Sequence, residues 1–217
     1  MHMGWWTMYK DGFGNIPNKD KVRNMLDEAF KKCPGEWIIH SHIIGKTSEK
    51  IARELGLDPE IAYAVGCLHD LGKGYGYRDM AHMMEGYRIL RFEAYFYPAR
   101  IALGHGFVTG EISSYHGKRN VSKRDEDFII AYLKKREIDE YEKLIILLNN
   151  LIKGRYLGLD EREALRNIAK TPEREERLKI LKGWQDDLEA KLENPIKTYL
   201  PRPRSYKFPY NLLRNEK

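Results

Sequence analysis

The chain has 217 residues, of which 42% are hydrophobic and 32% charged, enough to bury a real core in one large or two small domains. No apolar run approaches the roughly 20 residues of a membrane span, and no leader of the secretory kind precedes the first helix, so neither a membrane protein nor a secreted one is expected. The formal charge of +6 invites a nucleic-acid partner, but segment 196–217 sets six basic residues against the single acid Glu216 and so carries +5 of that charge. The remaining body is nearly neutral, and nucleic acid is not expected to bind it through its phosphate backbone. The tail is left as a candidate docking element for nucleic acid or for a second subunit, the latter making a homo-oligomer. Cys33 and Cys67 are too few for a disulfide framework, which makes the cytoplasm the default compartment.

Apolar residues recur every three or four positions, and long Val-, Ile- and Thr-rich alternating runs are missing, so the fold class is all-α. After an N-terminal segment (1–18), Asn18 caps a helix from Lys19 to Lys32 that Pro34-Gly35 ends. A second helix spans Trp37 to Leu55, stopped at Gly56. Asp58-Pro59 opens a third, running to Leu71, and the glycines at 72, 74 and 76 make a loop. Helices over Met80 to Tyr95 and Pro98 to Leu103 follow, then a loop-rich stretch from Gly104 to Arg124. Two more helices, Asp125 to Lys135 and Asp139 to Lys153, lead to a break at Arg155 to Gly158. Charged helices over Glu161 to Ala169 and Pro172 to Leu192 precede an extended or docked basic tail.

Histidines on apolar faces are the unusual feature. His40 shares a helical face with Ile44, Thr47, Ile51 and Leu55, whereas His42 aligns with Lys46, Glu49 and Arg53, so His40 points inward and His42 outward. His69 shares a face with Ala62, Val65 and Gly66, and Asp70 follows it. His82 precedes Gly86, Ile89 and Leu90 on its helix, and His105 closes Ile101-Ala102-Leu103-Gly104. Asn149 and Asn150 interrupt the apolar helix Leu144 to Ile152 and need partners there. A single core histidine is readily satisfied by a backbone hydrogen bond. Four inward histidines and a buried aspartate from different helices would each need a separate explanation, and one polyvalent cation supplies a common one, because neutral imidazole and carboxylate ligate Zn, Fe, Mn and similar ions.

His40-Ser41, followed 29 residues on by Leu68-His69-Asp70-Leu71-Gly72-Lys73, resembles the signature of the HD superfamily of metal-dependent phosphohydrolases. His82 with Gly86, and His105 with Gly106, resemble the two further histidines of its dinuclear members. The resemblance covers Ile38 to Arg155. It implies a helical bundle in which His40, His69 and Asp70 are primary metal ligands, Asp70 bridges two ions, and His82 and His105 serve the second. One or two divalent transition-metal ions are implied, with Fe, Mn, Zn, Co and Ni all acceptable to such a site. Lys73 contacts a phosphate oxygen, supports Asp70 or is a solvated loop lysine; on the resemblance it and Asp70 are the implied catalytic residues. Gly72-Lys73 is not a phosphate-binding P-loop, because Cys67 stands where its first glycine is needed and Gly74 follows the lysine.

On this resemblance residues 19–157 are the metal-binding domain, 158–195 are helices packed on it, and 196–217 are the tail. The implied activity is phosphoester hydrolysis by a metal-activated water on a nucleotide or another small phosphorylated metabolite. One position departs from the pattern: Asn149 stands where an aspartate ligand is expected. It is a neutral candidate ligand, with Glu85 and Glu111 as possible replacement carboxylates, and His116 is a candidate for the pocket wall. The alternative is therefore a degenerate HD domain that binds metal or a phosphorylated ligand without turnover. Tyr75, Tyr77, Tyr87, Tyr95 and Phe107 are candidates for stacking a base.

Overall fold

In the computed structural model, which describes residues 6–166 and 171–201, the chain begins with a hairpin that helical periodicity does not anticipate. Strand β1 (Thr7–Lys10) pairs antiparallel with β2 (Gly14–Pro17). Four-residue strands are too short for an alternating pattern to register in the sequence. Gly12 and Gly14 hold the turn at positive φ, a conformation open to glycine without steric cost. Phe13 at the hairpin tip packs edge-on against Tyr97 and Tyr141, at 4.7 and 5.3 Å.

Nine α-helices follow among the described residues: α1 (Lys19–Lys32), α2 (Trp37–Glu54), α3 (Pro59–Leu68), α4 (Asp79–Phe92), α5 (Phe96–Gly104), α6 (Lys123–Lys135), α7 (Glu140–Leu151), α8 (Leu159–Arg166) and α9 (Pro172–Glu189). The fold is all-α, and five of these helices start on a side-chain cap. Asn18 accepts a hydrogen bond from the Lys21 amide at 2.9 Å, and Asp58 accepts from Glu60 and Ile61 ahead of Pro59. Ser122, Asp139 and Thr171 cap α6, α7 and α9 in the same way.

Helix ends depart further from expectation. Helix α3 stops at Leu68, and Leu71–Tyr75 forms a 3-10 turn where a helix end and a loop were expected. Helix α4 closes at Phe92 rather than Tyr95, because Ala94 takes φ +60° and turns the chain. Helix α7 ends at Leu151, where β3 (Ile152–Lys153) folds back on β4 (Arg155–Tyr156) around Gly154. The predicted helix end at Ala169 and the tail from residue 202 onward lie outside the described residues. Of the tail's start, Ile196–Tyr199 is a 3-10 turn docked on α2 through buried Ile196 and Tyr199, with the Tyr199 hydroxyl donating to Glu54 at 2.6 Å and Lys50 donating to the Tyr199 carbonyl. No helix among the described residues is long and apolar enough to cross a membrane.

Helices α2 and α3 cross closely because each presents a glycine. A Cβ on Gly66 would lie 2.8 Å from the Gly45 Cα, and one on Gly45 would lie 2.2 Å from the Cys67 sulfur. Ser48, buried at the crossing, donates to the carbonyls of Gly45 and Ala62. Around them Ile38, Ile44, Ile51, Ile61, Val65, Leu68 and Leu71 form a fully enclosed core with Ile145 and Leu148 of α7. Burial pushes the Cys67 thiol up to about 12, so it is a protonated core residue. This crossing fixes the ends of α2 and α3 that carry His40 and His69. Helices α8 and α9 pack against α7.

Candidate metal centre

Five elements deliver side chains to one point. His40 comes from α2, His69 and Asp70 from the residues closing α3, His82 from α4, His105 from the end of α5 and Asn149 from α7. Asp70 is the hub, with only 1% of its side chain exposed. Its Oδ1 lies 3.0 Å from His82 Nε2 and 3.5 Å from His105 Nε2, and its Oδ2 lies 3.4 Å from His69 Nε2 and 3.9 Å from His40 Nε2. The Asn149 amide is 2.9 Å from His40 Nε2. The six residues singled out by spacing, and Lys73 with them, therefore meet in space.

Two of the histidines are oriented by the same device. His69 and His105 are the C-cap residues of their helices, and each donates from Nδ1 to the carbonyl three residues earlier, Gly66 at 2.7 Å and Ala102 at 2.8 Å. Donation through Nδ1 leaves Nε2 as a lone pair aimed at the hub, the arrangement typical of metal-bound imidazole. His42 is the exception to the sequence reading: it is buried, not outward, and burial lowers its pKa to about 4. Helix α2 is covered on both sides, with every residue from Ser41 to Gly45 buried, so helical phase alone could not separate an inner from an outer face.

The electrostatics suit cation binding. Burial would by itself raise the Asp70 pKa, but Lys73, whose Nζ lies 2.6 Å from Oδ2, and the surrounding histidines hold it well below the usual carboxylate range. The carboxylate is thus ionised. Burial lowers His40 to about 3 and His105 to about 4, and lowers His82 as well, each against the pull of Asp70. The rings are neutral near pH 7, the state in which imidazole ligates metal.

The ligand atoms form two overlapping triads, His40–His69–Asp70 and Asp70–His82–His105, each with its donor atoms within 4.8 Å of one another. Asp70 belongs to both. His69 Nε2 is buried without a hydrogen-bond partner, and such an atom costs about 1–3 kcal/mol unless something satisfies it. A divalent ion at each triad would do so with ligand types it accepts, and the residues present fit such a group. Neither Glu85, which faces Arg88, nor the exposed Glu111 joins either triad.

A cavity of about 260 Å³ opens beside the second triad, walled by Lys73, His82, His105 and Asn149 together with Asn150, Arg162, Arg166 and Arg177. His116 lines it too. The arginines were not singled out in the sequence, where they belong to charged helices. Their only local signal is the four-residue spacing of Arg162 and Arg166, which places both on one face of α8. Of the aromatic candidates, Phe107 and Tyr95 are buried in the core and Tyr75 sits under Lys32, while Tyr115 is the aromatic ring at the cavity wall.

A family model described as HD domain matches residues 37–153, just over half of the chain. Two solved structures are similar to it, both of the HD domain of the phosphodiesterase PgpH from L. monocytogenes. The one in complex with cyclic-di-AMP is 16% identical and covers 78% of this chain and 85% of its own, with a TM-score of 0.44. The other is 17% identical, with 77% and 86% covered and a TM-score of 0.43. No curated protein matches the chain.

Proposed function

The chain belongs to the HD-domain family, and from that premise we propose that it is a metal-dependent phosphohydrolase acting on a nucleotide or another small phosphorylated metabolite. The observation that carries this reading is the pair of triads sharing Asp70. Divalent ions held there would polarise a phosphate, lower the pKa of water towards neutrality and offset charge on the leaving oxygen.

The chain's own residues do the rest. Asp70 stays ionised at the hub because Lys73 pairs with it, which keeps its oxygens acceptor-only. His69 and His105 are held in one tautomer by their carbonyl partners. Lys73 pairs with Asp70 and also lines the cavity, which supports a role in holding the carboxylate and in contacting a bound phosphate.

The test is phosphate release from a panel of nucleotides and phosphorylated metabolites by protein stripped of metal and then reloaded with Mn, Fe, Zn, Co or Ni. Turnover that requires reloading and disappears in Asp70→Ala is expected. Failure to bind stoichiometric metal, or turnover indifferent to a chelator, would overturn the reading. A second reading draws on one observation: Asp70 is the only carboxylate in the two triads, so two dications are weakly neutralised and the domain could bind its ligand without cleaving it. Ligand-induced thermal stabilisation with no phosphate release across the panel would select that reading.

A further inference from the structure

Beyond residue 153, where the family match ends, α8 and α9 return over α7 and place guanidinium groups on the wall of the cavity that holds the second triad. The charges there do not balance. Glu163 is shared by three arginines, with Oε1 2.6 Å from Arg166 and 3.3 Å from Arg177, and Oε2 2.7 Å from Arg174. Asn150, one residue beyond the position that faces His40, turns its amide oxygen to Arg166 and Arg177 and so orients both without neutralising either.

Arg162 makes no side-chain hydrogen bond or ion pair with any described residue, and its Nε is buried without a partner, as is Arg177 Nε. His116 Nε2, on the same wall, is also buried and unpartnered. Burial first, and then the neighbouring arginines, pull Arg177 down to about 9 and lower Arg162 and Arg166. Crowded cations with open donors in a cavity leave room for one kind of ligand, a multiply charged anion that takes several N–H bonds at once.

We propose that Arg162, Arg166 and Arg177, with His116 beside them, form a subsite for a second phosphate group of the substrate, one that is not cleaved. The inference rests on the phosphohydrolase reading for what happens at the triads, but the subsite itself needs no metal. The substrate class then narrows to compounds carrying at least two phosphates, one placed at the triads and the other on the helices that follow the HD domain. Arg162 is the residue most committed to this task, since no described residue takes a hydrogen bond or ion pair from its side chain.

The experiment is calorimetric titration of the metal-stripped full chain with inorganic phosphate and with tripolyphosphate. Three variants accompany the parent: Arg162→Gln, Arg162→Lys and, as a control at an exposed lysine, Lys134→Gln. Tripolyphosphate should bind at least about tenfold tighter than phosphate, and Arg162→Gln should lose about tenfold or more of that affinity, the worth of one charge-assisted contact. Arg162→Lys should recover part of the loss, and the unliganded melting temperature of Arg162→Gln should match the parent. Equal affinity for the two anions, or an equal loss in Lys134→Gln, would overturn the subsite. Tight tripolyphosphate binding without phosphate release from the metal-loaded protein would uphold the subsite and sink the hydrolase reading; metal-dependent turnover without the anion preference would do the reverse.

Discussion

Gly72 lies between the hub residue Asp70 and α4, and the gap there admits no side chain. A Cβ on Gly72 would sit 2.1 Å from the His82 carbonyl oxygen and 2.9 Å from the Gly86 nitrogen, whereas real Cβ contacts essentially never fall under 3.0 Å. In Gly72→Ala, therefore, α4 must retreat by about 0.9 Å at His82. Both partners in the clash are backbone, so no rotamer change relieves it, and the cost belongs at the upper end of the ~1–3 kcal/mol range for overpacking. The same retreat moves the His82 ring from its 3.0 Å position on Asp70 by more than the ~0.2 Å tolerance of metal–ligand distances. Gly86→Ala provides the contrast on the facing helix: its Cβ meets the Ala102 methyl at 3.4 Å and the Gly72 nitrogen at 3.5 Å, ordinary contacts. Alanine is also the better helix former by up to ~1 kcal/mol. Urea denaturation with elemental analysis of the purified proteins should show Gly72→Ala destabilised and short of metal, and Gly86→Ala unchanged or slightly more stable with full metal. Equal behaviour of the two variants would refute the reasoning.

Asn149→Asp places a second carboxylate 2.9 Å from His40 Nε2 and should tighten metal binding by at least about tenfold, comparable to the effects of supporting ligands; chelator competition measures this, and weaker binding would contradict it. In anion-free protein the His116 ring should stay neutral down to about pH 4, because burial and then Arg177 and Arg166 lower its pKa. Its unfolded pKa is about 6.5, so its contribution to stability is complete above that pH and is lost as pH falls towards 4. An NMR titration of the ring follows this, with tripolyphosphate expected to raise the midpoint; a midpoint near 6.5 without the anion would contradict the burial argument. Ser48→Ala removes the hydroxyl that donates to Gly45 and Ala62 between α2 and α3 and should cost about 1 kcal/mol in urea denaturation with metal content unchanged.

What was legible in the sequence is what local chemistry decides. Asn18 and Asp58-Pro59 cap their helices through bonds spanning two or three residues, so the sequence order suffices to find them. The metal residues were legible for a different reason. A histidine or aspartate on an apolar face is costly on its own, and His40, His69, Asp70, His82 and His105 repeat that cost in a pattern shared with a known family. Helical phase points His42 outward, and the structure buries it because α2 is enclosed on both faces, a fact of tertiary packing that helical phase does not carry. The 7–17 hairpin escaped notice because its strands are too short to show a period. The cavity arginines escaped because nothing near Arg162, Arg166 or Arg177 in sequence tells that α8 and α9 turn back over α7 towards the end of α5; only the fold brings Arg177 to Asn150 and both to the wall shared with His105.

Everything proposed for the two triads requires that Asp70 and its histidines hold metal. Anomalous diffraction at the absorption edge of the bound ion, on crystals of metal-reconstituted protein, tests it most directly. The account predicts one or two peaks within coordination distance of Asp70, with His69 Nε2 among the ligands. A peak elsewhere with none at Asp70, or no peak in protein incubated with each of the five metals, would contradict it.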